Sequence, residues 1–228
     1  MSCQVKIKHA QLLCAITCGA ALLGAPAALA APTITMSRSC YVQDTIAKGV
    51  TIQLSGSGFT PGELLFAQIP APGGLLSFVE TTVSAQGTIA AQLPNVIPTG
   101  IEPTVEHERM QIKGVLSGAI LAEAPFDLTN LGVAMHPAAA RPNAKVTFEF
   151  AGFTPGRPIF GHYLHRGHVA LTHRFGRAGG PCGTLKTRAR FFPGRSRFSS
   201  YRVQFDDSKR FRGNAAPKVA TGLTIIRF

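Results

Sequence analysis

The chain is short of charge, and it lacks long apolar runs beyond its first thirty residues. Charged side chains make up 15% of the 228 residues, and only 11 are acidic. An average soluble protein has about 25%. After residue 30 no stretch approaches the roughly 20 apolar residues of a membrane-crossing helix, so no transmembrane segment is expected in the mature chain. No long segment combines helical periodicity with capping residues, which leaves helix a minor component. Gly and Pro number 24 and 16, and apolar residues make up 45%. Those values exclude a disordered chain, a collagen and a coiled coil. What remains is a turn-rich, β-rich globular protein.

The N-terminus reads as an address. Lys6, Lys8 and His9 precede a mainly apolar run, residues 11–30, that ends Ala28-Leu29-Ala30. This is the arrangement of a cleaved signal peptide, with cleavage expected after Ala30. An uncleaved anchor is the competing reading, but Gln11, Thr17, Gly19, Gly24 and Pro26 dilute the run. A secreted, extracellular product is expected, with association to the cell envelope left open. Cleavage would remove Cys3, Cys14 and Cys18 and leave Cys40 and Cys182. An oxidising compartment permits a disulfide; an intramolecular bridge, an intermolecular bridge and two separate thiols all remain open.

Self-similarity organises the rest. Residues 50–62 read VTIQLSGSGFTPG and residues 146–156 read VTFEFAGFTPG. Apolar residues alternate in both (Val50, Ile52, Leu54; Val146, Phe148, Phe150), the period of a half-buried strand. Each copy then meets Gly-Phe-Thr-Pro-Gly, where Pro suits the first corner of a turn and Gly a corner of positive φ. Further strands are predicted at 64–69 and 158–164. The copies start 96 residues apart. Units of about 100 residues with short strands and frequent turns point to immunoglobulin-like sandwiches. The predicted fold is all-β: two tandem immunoglobulin-like β-sandwiches, 31–131 and 132–228, after a signal peptide at 1–30. Residues 126–135 read as one unit's last strand running into the next unit's first, with no flexible linker between.

On these turns the chain resembles secreted, predominantly actinobacterial proteins built from bacterial Ig-like domains with Gly-x-Gly-Phe-Thr-Pro-Gly turns. The second unit, from Phe153-Thr154-Pro155-Gly156 through His162-Tyr163 and Gly180-Pro181-Cys182-Gly183, resembles a C-terminal module of such proteins and implies no activity. The opening Ala30-Ala31-Pro32-Thr33 and the sandwich are also similar to enediyne-carrying apoproteins of the neocarzinostatin family. The two intradomain disulfides of that family have no match here, since each unit holds one cysteine.

Charge is divided between the units. Residues 31–131 hold 4 basic and 8 acidic side chains; residues 132–228 hold 17 and 3, a net of +14. Such asymmetry speaks to partners rather than to fold. Residues 184–191 read TLKTRARF, and strand alternation sets Lys186, Arg188 and Arg190 on one face. On an edge strand that row would also block unwanted pairing. Arg195, Arg197 and Arg202 extend the candidate polyanion-contacting set, while Tyr201, Val203 and Phe205 alternate toward the core. No stacking platform for single-stranded nucleic acid is formed, so no specific nucleic-acid reader is expected.

Four histidines, His162, His165, His168 and His173, fall within twelve residues and raise a zinc or copper reading. A hairpin closed by a three-residue loop, His165-Arg166-Gly167, pairs Leu164 with His168 and puts Ile159, Gly161, Tyr163, Val169 and Leu171 on one apolar face. The histidines then diverge, and solvated sheet-face side chains are expected, with no metal or cofactor. No Gly-x-Ser-x-Gly elbow, phosphate loop or dinucleotide fingerprint is present. In the second unit Glu149 alternates outward and Asp206-Asp207 reads as a strand-end turn. Glu102, Glu106 and Glu108 beside His107 read as a solvated loop. The expected function is an exported, non-catalytic binding or scaffolding protein contacting an extracellular polyanion, such as an anionic cell-envelope polymer, through its second unit. The alternative is a secreted hydrolase or metal-dependent enzyme with its site at the domain junction.

Overall fold

The computed structural model describes residues 31–43, 49–100, 103–193 and 199–225, and every helix-or-strand element among them is a β-strand. The leader-like residues 1–30 lie outside the described residues. The first half runs β1 (Thr33–Met36), β2 (Cys40–Gln43), β3 (Val50–Ser57), β4 (Leu64–Ala71), β5 (Gly74–Thr82), β6 (Thr88–Val96), β7 (Val105–Gly114) and β8 (Ile120–Asn130). One sheet has the order β1-β3-β6 and the other β2-β8-β7-β4-β5. The alternation read at β3 puts Ile52 and Leu54 inward, where they join Leu65, Ala67, Ile69, Met110, Ile112 and Phe126 in one buried core. Burying a large aliphatic or aromatic side chain of this kind stabilises the fold by about 1.5–3 kcal/mol.

The second half repeats the plan with β9 (Gly132–His136), β10 (Lys145–Ala151), β11 (Pro158–His165), β12 (His168–Arg177), β13 (Leu185–Arg190), β14 (Ser199–Asp206) and β15 (Lys218–Ile225). Its sheets are β13-β10-β9 and β12-β11-β14-β15. A separate core of Phe148, Phe150, Phe153, Tyr163, Phe175, Val203 and Phe205 lies between them. In immunoglobulin lettering each half opposes an A-B-E sheet to a C′-C-F-G sheet, and in the first half β2 adds a parallel strand beside β8. These are two tandem immunoglobulin-like β-sandwiches. Only Leu131 separates β8 from β9.

Both Gly-Phe-Thr-Pro-Gly segments build the same turn. The Thr60 carbonyl accepts the Glu63 amide at 3.1 Å, and the Thr154 carbonyl accepts that of Arg157 at 3.1 Å. Proline occupies the second position of each, and Gly62 (φ 78°) and Gly156 (φ 75°) take the left-handed corner of a type II turn. The phenylalanine before each turn is buried, at 4% and 2% exposure for Phe59 and Phe153. It plugs the end of its own core.

The hairpin between β11 and β12 departs from expectation. Its loop is two residues, Arg166 (φ 50°) and Gly167 (φ 83°), both left-handed, so His165 pairs with His168 and Leu164 with Val169. An irregularity between Tyr163 and Leu164 then restores Tyr163 to Leu171 and His162 to Thr172. Val169 is 42% exposed rather than on the apolar face. The arginine takes the strained primed-turn corner because the twist of the two strands favours that turn.

Cys40, on β2, and Cys182, between β12 and β13, form a disulfide with a Cα–Cα distance of 5.3 Å. Beside it the Gly152 amide donates to the Cys182 carbonyl at 2.9 Å. A Cβ on Gly152 would stand 2.7 Å from both Leu131 Cα and Val42 Cγ1, so the chain packs there only as glycine.

Candidate functional site

Two cationic faces point away from each other across the second sandwich. On β13, an edge strand, Lys186, Arg188 and Arg190 are exposed while Leu185, Thr187 and Ala189 turn partly inward. Their partners on β10 are Glu149, Thr147 and Lys145. Lys186 Nζ donates to Glu149 Oε1 at 2.6 Å, and His136 Nε2 lies 3.7 Å from the other oxygen. The Lys186 hydrogen bond, with the charges of Lys186 and His136, holds the Glu149 carboxyl below the usual range. Arg188, Arg190 and Lys145 form no ion pair among the described residues. Arg202 does not join this row: it is exposed on β14, in the opposite sheet. Arg195 and Arg197 lie outside the described residues.

The opposite face corrects the reading of His162. Rather than solvated, it is fully buried, as is Asp206, and Gln204 is 6% exposed. All three point outward from β11 and β14, where bare sheet would leave them in water. The segment 207–217 folds back over them, setting the Phe211 ring 5.7 Å from the imidazole. Asp206 therefore is no open strand-end turn. Its carboxylate accepts from Gln204 Nε2 at 2.7 Å, the Ser208 amide at 2.8 Å and His162 Nε2 at 3.3 Å. Gln204 also donates to the Arg212 carbonyl at 2.8 Å. His162 Nε2 meets the Ser208 carbonyl at 3.0 Å, and Nδ1 lies 3.0 Å from Thr172 Oγ1. Both partners of Nε2 are acceptors, so that nitrogen carries a proton and donates to them, with Thr172 Oγ1 set against Nδ1.

Hydroxyl, imidazole and carboxylate thus stand in the order of a hydrolytic triad. Thr172 opens onto a cleft of about 390 Å³ that Phe160, Arg174 and Lys209 also line. Sequence pattern placed His162 among solvated sheet-face histidines, read Asp206 as a strand-end turn and did not single out Gln204. The signal passed over was the long β14–β15 connection, with one aromatic residue, Phe211, amid its polar ones.

The other histidines do not converge with it. His168 is exposed, the His165 ring lies 5.4 Å from that of Tyr201, and His173 packs on Phe175 at 4.8 Å. Burial lowers the His173 pKa. Among the described residues no three His, Cys, Asp or Glu side chains are grouped to hold a metal ion. No helix among them is long and apolar enough to cross a membrane.

In the first half, Glu106 and Glu108 lie on strand β7, not in a loop, and Glu102 is outside the described residues. Pairing with β8 straightens this segment. Glu106 accepts the Thr99 and Gly100 amides at 3.0 and 2.6 Å, clamping the preceding turn. Burial, and then the charge of Glu106, raises the Glu108 pKa. His107 Nδ1 is 2.7 Å from Asp127. At the junction of the halves a cleft of about 670 Å³ runs along Ser37–Cys40 and Gly152–Pro155, with Pro181 and Pro217. Its lining carries one charged side chain, Arg38, and no histidine or carboxylate. The triad-ordered groups lie on the outer face of the second sandwich, away from the junction where the alternative, enzymatic reading put its site.

No family model matches the chain, and no curated protein matches it. Similar solved structures include the human OSCAR ligand-binding domain, at 14% identity and TM-score 0.32, covering 85% of this chain and 97% of that one. A tetra-tandem repeat from the extending region of a large adhesion protein aligns at 11% identity and TM-score 0.29, over 85% of this chain and 48% of that one. The plexin A4 extracellular region aligns at 10% and 0.33, over 76% and 22%. The immunoglobulin-like assignment rests on strand order and register, not on these likenesses.

Proposed function

We propose that this chain is an exported, non-catalytic binding protein whose second half lies along an extracellular polyanion, such as an anionic cell-envelope polymer. One observation carries the reading. Arg190 on the edge strand stands directly opposite Lys145 on β10, beside Arg188, and none of the three has an ion-pair partner among the described residues. Like charges directly opposite in a sheet are destabilising. A strip of anions laid along the strand offsets that repulsion and releases counterions.

The test is salt-dependent binding of the full chain to polyphosphate. Binding weakens linearly in log–log form, and K186E/R188E/R190E flattens the slope by roughly one for each phosphate no longer neutralised. The charge-matched control R141E/R166E/R210E keeps the parent slope. Equal flattening in both variants sinks the proposal.

A second reading, hydrolysis, has the Thr172–His162–Asp206 chain in its favour. It requires turnover of a generic ester that Thr172→Val abolishes; the binding reading requires none.

A further inference from the structure

We propose that the cleft over Thr172 is a separate, discrete site for a single sulfate or phosphate ester group carried on a small ring. It is independent of the β13 strip and lies on the other sheet. Arg174 comes from β12 and Lys209 from the covering segment, and both line the cleft. Neither forms an ion pair among the described residues, and the cleft lining contains no carboxylate. Phe160, the register partner of Arg174 and half-buried, offers an apolar surface for a ring. Two unpaired cations around so small a space repel each other, and a tetrahedral oxyanion between them satisfies both with charge-assisted hydrogen bonds.

The buried network fixes the third side of the site. His162 Nδ1 lies 3.0 Å from Thr172 Oγ1, while its Nε2 meets the Asp206 carboxylate at 3.3 Å and the Ser208 carbonyl at 3.0 Å. Thr172 Oγ1 is thereby held on the cleft wall, a polar atom of fixed position beside Arg174 and Lys209.

Titration of the full chain with phenyl sulfate and phenyl phosphate, with phenol as the neutral control, tests this by NMR. Shifts concentrate at Thr172, Arg174 and Lys209, and the tighter ester identifies the headgroup. R174Q/K209Q, at exposed positions, weakens binding about tenfold or more. The K186Q/R188Q/R190Q variant binds as the parent does. Esters binding no tighter than phenol, or losing equally in both cation variants, overturn the site.

Discussion

Removing the Asp206 carboxylate tests whether the buried network holds the β14–β15 connection in place. Asp206→Ala deletes the acceptor of three hydrogen bonds, from Gln204, Ser208 and His162. Bonds to a charged group contribute about 1.5–3 kcal/mol each, but they do not add in full here. Gln204 keeps the Arg212 carbonyl and His162 keeps that of Ser208, so only the Ser208 amide loses its sole partner. The expected cost is about 2–3 kcal/mol, that of losing a hydrogen bond to a charged group and leaving the Ser208 amide unsatisfied. Asp206→Asn is the sharper probe. An amide NH2 in place of Oδ2 meets the Gln204 NH2 across 2.7 Å, and turning Gln204 over would set its oxygen against the Arg212 carbonyl. About 2 kcal/mol is expected even though shape is conserved. Urea unfolding followed by tyrosine fluorescence measures both, because the chain has no tryptophan and Tyr163 and Tyr201 lie in the second core. Asp207→Ala, breaking a half-exposed pair with Arg157 at 3.7 Å, is the control and costs under about 1 kcal/mol. If Asp206→Asn stays within about 0.5 kcal/mol of the parent, the network does not stabilise the fold as argued.

The Cys40–Cys182 bridge spans 142 residues of sequence, for which the chain-entropy relation gives about 5 kcal/mol as an upper value. Replacing both cysteines by serine should lower the urea midpoint accordingly, and an unchanged midpoint would refute the estimate. Tyr163 is buried, its hydroxyl has no hydrogen-bond partner among the described residues, and burial raises its pKa. Tyr163→Phe is therefore neutral or stabilising by about 1 kcal/mol in the same assay, and a clear loss of stability would reveal a hidden partner. Glu149, held low by Lys186, contributes stability above the ordinary carboxylate pKa, and that contribution is lost as pH falls through the lowered value. Carbon NMR titration should show the Glu149 pKa rising in Lys186→Gln; no change would remove Lys186 as the cause.

The sandwiches and their turns were legible because their signals are local. Alternation over a few residues decides that Val146, Phe148 and Phe150 face one way, and Pro155-Gly156 can close a type II turn without help from distant chain. The cation row on β13 was readable for the same reason. Pattern also set His162 outward, but outward means solvated only where nothing returns to cover the sheet. The return of residues 207–217, and with it the cleft over Thr172, depends on a connection whose path no periodicity encodes. The hairpin register was likewise outside the reach of pattern, since the two-residue loop at Arg166-Gly167 and the irregularity beside Tyr163 are settled by strand twist and packing together. Whether Cys40 and Cys182 meet was a question of how two sandwiches dock, with 142 residues between them. Local chemistry in the sequence determined the strands, turns and faces. Burial, partnering and the joining of distant segments were decided only in the tertiary structure, because they depend on which surfaces the folded chain brings against one another.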